Sequence, residues 1–226
     1  MEDHEAVWLM RSRTLIIIPC SNRKRPDGLS GVRWSRRLSA AKRLSPKGSG
    51  RLLEARSEIA RMFGYKPGMD LGVTRRAKLE LMPASKRYDG NVYRKIDAHL
   101  WPAAGSRSSV QVVIVSALYG LLVPEEPIRE YYRTMSDTVR PRITLARWWS
   151  ERGLGELLVE YVQQTGARIV HDFLSGVYAG FAERLSSLKG HVKVCHHSYP
   201  RLGFGADHHR GWDVRSFLMR AQRTPG

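Results

Sequence analysis

Three places in this chain end an apolar run on small polar side chains that could hold or attack a ligand. Cys20, Ser21 and Lys24 follow Thr14 to Pro19. A thiol among cations is acidified and nucleophilic, and successive backbone N–H groups can instead cradle a phosphate. The plainer reading is a buried cysteine and a solvated lysine. Ser116, Tyr119 and Gly120 end a second run. Gly120 would let the backbone approach a ligand, and Tyr119 would stack on it or donate a hydrogen bond; the plainer reading is a strand-to-loop turn with a buried tyrosine whose hydroxyl finds a backbone partner. Ser175 and Tyr178 close a third run, where Ser175 is either a helix N-cap or part of a phosphate or sugar site.

Glu125, Glu126 and Glu130 are the densest acidic cluster in a basic chain. A carboxylate beside a nucleoside could act as general acid or base or hold ribose hydroxyls, and Glu126 with Tyr119 forms the candidate catalytic pair. The alternative is a loop that pairs with Arg129 and Arg133. Cys195, His196, His197, His208 and His209 are metal-ligand types, but adjacent histidines do not readily turn to one ion. The expectation is a His-rich loop with no metal and no cofactor.

The charge is lopsided. The 226 residues carry 38 Lys+Arg against 21 Asp+Glu, a formal charge of +17. Between Arg11 and Arg61 the count is 14 basic to three acidic residues, and Arg75, Arg76, Lys78, Lys86 and Arg87 continue the trend. A concentrated cationic surface attracts phosphate polyanions through counterion release. The expected partner is nucleic acid, DNA first, or a nucleotide-like ligand. Arg23, Arg25, Arg33, Arg36, Arg37, Lys42, Arg43 and Lys47 are the expected phosphate contacts; a solvated basic face without a partner is the plainer alternative. Two cysteines argue against a disulfide-stapled secreted scaffold, and Leu15 to Ile18 is too short for a signal core or membrane span, so a cytoplasmic protein is expected.

The elements that must position these residues follow from periodicity. TLIIIP (14–19) and VQVVIVS (110–116) read as strands buried on both faces. Residues 167–174 and 191–195 read as two more. Helical spacing appears over 52–63, 91–100, 143–164 (split at 153–155), 178–188 and 213–221. A short strand is expected at 78–82, irregular loop at 120–136, and a Gly/His loop at 199–211. Residues 1–13 read as a loose terminus, and the Gly- and Pro-punctuated 25–50 stretch as a long mobile basic loop with one helical turn near 35–44. Alternating strands and helices predict a mostly parallel or mixed sheet with helices on both faces. The whole forms a single α/β domain: strand and loop 14–24, basic insertion 25–78, and the remaining core 79–226. In such sheets ligands sit beyond the carboxyl ends of the strands, where the three polar stretches fall.

Four stretches in register resemble one known family. The strand running into Ser116-x-x-Tyr119-Gly120-x-Leu122-x-Pro124, with Ile128, Tyr131 and Met135 beyond, resembles the YaaA (peroxide-stress) family. Gly90-Asn-Val-Tyr93 is similar to its Gly-x-Val-Tyr segment, and Cys20-Ser21 with Lys24 to the Cys-Ser-x-x-Lys opening of its shorter relatives. Asp172 through Ser175 to Tyr178 is similar to its late Asn-Leu-Ala-Ser-x-x-Tyr segment, with Asp172 standing where the family has Asn. The resemblance spans about residues 14–188. It implies a YaaA-like α/β fold, DNA binding, and a link to limiting oxidative DNA damage and free iron. It adds Tyr93 and Tyr131 to the candidate ligand-binding set of Cys20, Ser21, Lys24, Ser116, Gly120, Ser175 and Tyr178. A weaker likeness, to the Pro-Cys-Ser-x-x-Lys-Pro start of archaeosine-type tRNA-modifying enzymes, implies chemistry on a nucleobase. Two function classes therefore stand: a DNA-binding stress protein, and an enzyme that cleaves an N-glycosidic bond or modifies a base.

Overall fold

The computed structural model of the chain describes residues 13–73, 79–101 and 109–223. Its elements run β1 (Thr14–Pro19), α1 (Pro46–Met62), β2 (Leu81–Pro83), α2 (Ala84–Arg87), α3 (Asn91–Arg94), β3 (Val110–Ser116), β4 (Gly120–Leu122) and β5 (Pro127–Arg129). Then follow β6 (Thr138–Arg140), β7 (Ile143–Thr144), α4 (Leu145–Glu151), α5 (Leu154–Thr165), β8 (Ile169–Asp172), α6 (Ala179–Glu183), β9 (Lys193–His196) and α7 (Ala206–Arg223).

Four consecutive aliphatic residues, Leu15 to Ile18, are fully buried in β1. A strand with no solvated face must sit inside a sheet covered on both sides, and β1 does. The main sheet has five strands in the order β4-β3-β1-β8-β9. β1 runs parallel to β3 and to β8, and β8 parallel to β9. β4 folds back antiparallel onto β3, with Ser116 opposite Gly120. The sheet is thus mixed and the fold α/β. On one side His171 and Phe173 meet Phe217 of α7. α7 lies close on α3: a Cβ at Gly211 would come within 2.8 Å of the Val92 carbonyl. On the other side Gly120, at φ +69°, leaves room for Trp149 of α4 and Leu52 of α1.

From β1 the chain crosses to β3 on one flank, and from β8 it crosses to β9 on the opposite flank. The crossovers diverge between β1 and β8, and in open α/β sheets the ligand crevice lies at the carboxyl ends of the strands flanking such a switch point.

The 25–50 stretch is not the mobile loop the sequence suggests. Ala40, Ala41 and Leu44 are buried in the same hydrophobic cluster as the sheet, and two short 3₁₀ turns, Arg36–Leu38 and Ala40–Arg43, carry them there. Gly28 lies against the Glu80 backbone, where a Cβ would come within 2.7 Å. The buried Arg87 guanidinium binds the carbonyls of Arg25 (2.7 Å), Asp27 and Glu80 (3.1 Å). Ser45 caps α1 by accepting from the Gly48 N–H at 3.1 Å, and Pro46 occupies the first turn. The helix therefore starts six residues before the apolar periodicity at Leu52 begins.

Other departures are smaller. The helix expected over 91–100 stops at Arg94 and gives way to a 3₁₀ turn at Ala98–Leu100. The 120–136 region holds β4 and β5, the latter paired antiparallel with β2. α7 begins at Ala206, so His208 and His209 are helical rather than in a loop. Arg75, Arg76, Lys78 and the terminal stretch 1–12 lie outside the described residues. Among the described residues no helix is long and apolar enough to cross a membrane.

Candidate functional site

Three of the sequence-derived stretches converge at the crevice. Cys20 leaves β1, and its Sγ lies 3.2 Å from Tyr178 Oη, which follows β8. That contact joins the two strands whose crossovers diverge. Ser21 lies against Gly90, where a Cβ would come within 2.2 Å of Ser21 Oγ, so any larger residue there must turn the Ser21 hydroxyl aside. Lys24 curls back to donate to the carbonyls of Ser21 (2.8 Å) and Asn22 (3.4 Å). Its ammonium stands 4.0 Å from the Tyr131 ring centroid, a cation–π contact, and burial pushes its pKa below the usual lysine range.

Beneath Lys24 lies a closed hydroxyl cluster. Tyr88 Oη is 2.7 Å from Tyr131 Oη and 3.3 Å from Ser116 Oγ, and Ser116 Oγ is 2.9 Å from Tyr131 Oη. Tyr93 Oη donates to the Pro19 carbonyl at 2.9 Å, bracing the end of β1. Desolvation raises the pKa of Tyr88, Tyr93, Tyr131 and Tyr178 well above the ordinary tyrosine value, so all four keep their protons near neutrality. The buried Tyr88, Tyr93, Tyr131 and Ser116 form the floor of the site; Cys20, Ser21, Lys24, Ser175 and Tyr178, all at least partly exposed, form its rim.

The rim continues into charge. Residues 23–25 pair with 87–89 through the Lys24–Tyr88 bridge, the Asp89 N–H to Arg23 carbonyl bond of 2.9 Å and the Arg25 N–H to Arg87 carbonyl bond of 2.8 Å. Asp89 then collects three arginines: Arg94 at 2.6 Å, Arg23 at 3.5 Å and Arg25 at 3.6 Å. One carboxylate against three guanidinium groups leaves this edge positive. Arg33, Arg37, Lys42 and Lys47 are exposed further along the insertion. Arg36 is exposed but donates to Ser49 Oγ at 2.8 Å. Arg43 is half-buried and acts electrostatically on Glu125.

Glu126 and Gly120 stand elsewhere, and Tyr119 borders the hydroxyl cluster: its backbone N–H donates to Ser116 Oγ at 3.2 Å and its ring lies edge-on to Tyr131. Glu126 is fully buried and its oxygens accept from Arg56 (2.7 Å), Trp34 Nε1 (3.1 Å) and the Ala40 N–H (2.9 Å). Arg56 also donates to the carbonyls of Tyr119 (2.8 Å) and Leu121 (2.6 Å). Tyr119 Oη donates to Asp70 at 2.7 Å and accepts from the Arg129 N–H at 3.1 Å. Arg129 holds Asp70 with two N–H groups at 2.6 and 2.8 Å. This paired-ion network stitches the basic insertion to the core, and it leaves neither the Glu126 carboxylate nor the Tyr119 hydroxyl open to a ligand. Gly120 packs on Trp149 and Leu52, not on the crevice. Trp34, Trp148 and Trp149 are likewise committed: Trp34 to Glu126, the other two to the core.

Asp172 is buried and accepts from the Leu174 N–H (2.9 Å) while its other oxygen lies 2.7 Å from His196 Nδ1. His171 and His197 stack with Phe173 and Phe217, and burial takes His171 down to about 4, leaving it neutral at physiological pH. Among the described residues no three His, Cys, Asp or Glu side chains gather as metal ligands would.

Sequence reasoning missed Arg210. It enters from α7, 35 residues beyond Ser175, and donates to Ser175 Oγ at 2.7 Å. Nothing in the spacing marks it; only the return of α7 to the strand ends brings it there.

The fold and site define an α/β protein with a parallel core sheet and a polar crevice at its switch point, flanked by arginines. Comparison with family models gives the narrower assignment. Residues 15–224 match the model described as peroxide stress protein YaaA, and the chain belongs to that family. No curated protein matches the sequence.

Proposed function

We propose that this family member binds nucleic acid, DNA in the first place, and seats an exposed nucleotide unit in the β1–β8 crevice, as part of a defence against peroxide damage. The observation that carries this reading is continuity. The strand-end turn that meets Tyr178 through Cys20 runs directly into Arg23 and Arg25, with Arg94 beside them on the same carboxylate. The crevice walls are phenols and hydroxyls, which suit a sugar and a base; the flank is guanidinium, which suits phosphate. The exposed Arg33, Arg37, Lys42 and Lys47 extend the phosphate track. Fluorescence anisotropy with duplex and single-stranded DNA over a salt series tests it. Each neutralised phosphate contributes close to one unit of slope in log K against log salt. Replacing those four cations by Gln lowers the slope by about two to four units; an unchanged slope defeats the reading.

A second reading, an enzyme acting on a nucleoside or nucleobase, is favoured by Lys24. Its ammonium is half-buried, easier to deprotonate than usual, and stands over the Tyr131 ring above the hydroxyl cluster. Base release from DNA or nucleosides that vanishes in Lys24→Met would support it; no turnover in the unmodified protein removes it.

A further inference from the structure

Arg210 carries a charge where the surroundings do not fully satisfy it. Its side chain is 5% exposed. One terminal nitrogen, Nη1, pairs with Asp207, and the other, Nη2, donates to Ser175 Oγ at 2.7 Å. The guanidinium lies 5.5 Å from the Tyr199 ring centroid. Nε is buried with no hydrogen-bond partner. Nε and Nη2 share one edge of the guanidinium plane, so this edge holds one N–H on a serine hydroxyl and one on nothing. An unsatisfied buried donor on a charged group costs free energy; Arg87 and Arg133 each bury such an Nε too, and what separates Arg210 is that its edge meets the exposed Ser175 at the end of β8.

The edge faces the crevice end of β8. Ser175 is exposed, and Gly176 beside it, at φ +55°, has open space where a Cβ would stand. Tyr178, two residues on, reaches Cys20 across the crevice. Among the described residues the one carboxylate paired with the guanidinium, Asp207, is 55% exposed and sits on Nη1, away from the Nε–Nη2 edge. Side-on presentation of two parallel N–H groups is the geometry that binds a phosphate through two oxygens.

We propose that the Nε–Nη2 edge of Arg210, with Ser175 Oγ, is the subsite for a phosphate monoester, so that the crevice takes a nucleoside 5′-monophosphate unit rather than a nucleoside. A change of Ser175 rotamer opens the edge, and the hydroxyl then donates to the same phosphate. This rests on the nucleotide reading of the crevice and adds the group that anchors it.

Titration calorimetry on the full chain tests it, with 2′-deoxynucleoside 5′-monophosphates, the matching nucleosides and inorganic phosphate as probes. The monophosphates bind at least about tenfold more tightly than the nucleosides, and inorganic phosphate competes with them. Ser175→Asp, on an exposed position, lays a carboxylate on the edge: the chain keeps its thermal midpoint while the tenfold preference disappears. Arg210→Lys keeps the charge, loses the fork, and cuts the preference severalfold. Equal affinity for nucleotide and nucleoside, a preference that survives Ser175→Asp, or phosphate binding without any nucleotide binding overturns the proposal. DNA affinity measured on the same wild-type protein separates the two levels. Intact salt-dependent DNA binding with no monophosphate preference sinks the subsite alone, and absent DNA binding sinks the nucleic-acid reading.

Discussion

At the residue scale, the carboxylates divide by what surrounds them. Asp70 accepts three donors from Tyr119 and Arg129 with no exposure, so it is part of the framework. Asp70→Asn leaves the Arg129 charge buried against a neutral partner and costs about 3–5 kcal/mol in urea unfolding. A loss below about 1 kcal/mol would mean the network is dispensable. Glu125 is the contrast: half-buried without a close ion pair, its carboxyl is raised to about 7 by desolvation, from 4.5. Between those values the native chain keeps a proton that the unfolded chain has released, so this residue lowers stability as pH rises through the interval. Glu125→Gln should therefore be more stable than the parent by roughly 1–2 kcal/mol near pH 8 and equal to it near pH 4, by denaturant titration at both. The rim residues Cys20, Ser21 and Tyr178 are legible in the sequence because each follows an apolar run that stops abruptly. The role of Glu126 is not legible, since its partner Arg56 stands 70 residues away among cations that look alike in one dimension.

At the element scale, burial on both faces makes β1 and β3 readable, and the observed Thr14–Pro19 and Val110–Ser116 coincide with the apolar runs. Elements whose formation depends on distant partners are not readable. β5 is three residues long and exists because β2 offers an edge. The 25–50 stretch has the composition of a loop, yet buried alanines and the Arg87 guanidinium hold it in place. A local apolar count cannot show that, because carbonyls and small side chains supply the contacts. The close approach of Gly90 to Ser21 gives a test at this scale. Gly90→Ala forces Ser21 Oγ aside from a 2.2 Å overlap and costs about 1–2 kcal/mol in thermal or urea unfolding. Adding Ser21→Ala removes the colliding oxygen and recovers at least half the loss. If the double variant is no better than the single one, the loop and the 88–90 segment do not pack as described.

At the scale of the whole molecule, the charge of +17 and the crevice are two features of one surface only if the cations meet the crevice in space. Sequence places them next to each other along the chain; the structure adds Arg94, brought in by Asp89, and Arg210, brought in by α7. It also withdraws Arg56 and Arg87, whose guanidinium groups are buried in the interior. Family membership is legible in four short stretches because they lie at or against the strand ends, where tight backbone geometry such as the Ser21–Gly90 approach restricts residue choice. The account stands or falls on whether DNA lies across both features at once. Photo-cross-linking to single-stranded DNA carrying 4-thiothymidine, with the modified peptides located by mass spectrometry, reads this directly. Cross-links at the crevice rim, on peptides holding Cys20 to Arg25 and Ser175 to Tyr178, together with others at Arg33 to Lys47, are the predicted result. Cross-links spread evenly over the surface, or confined to the insertion with none at the strand ends, would contradict it.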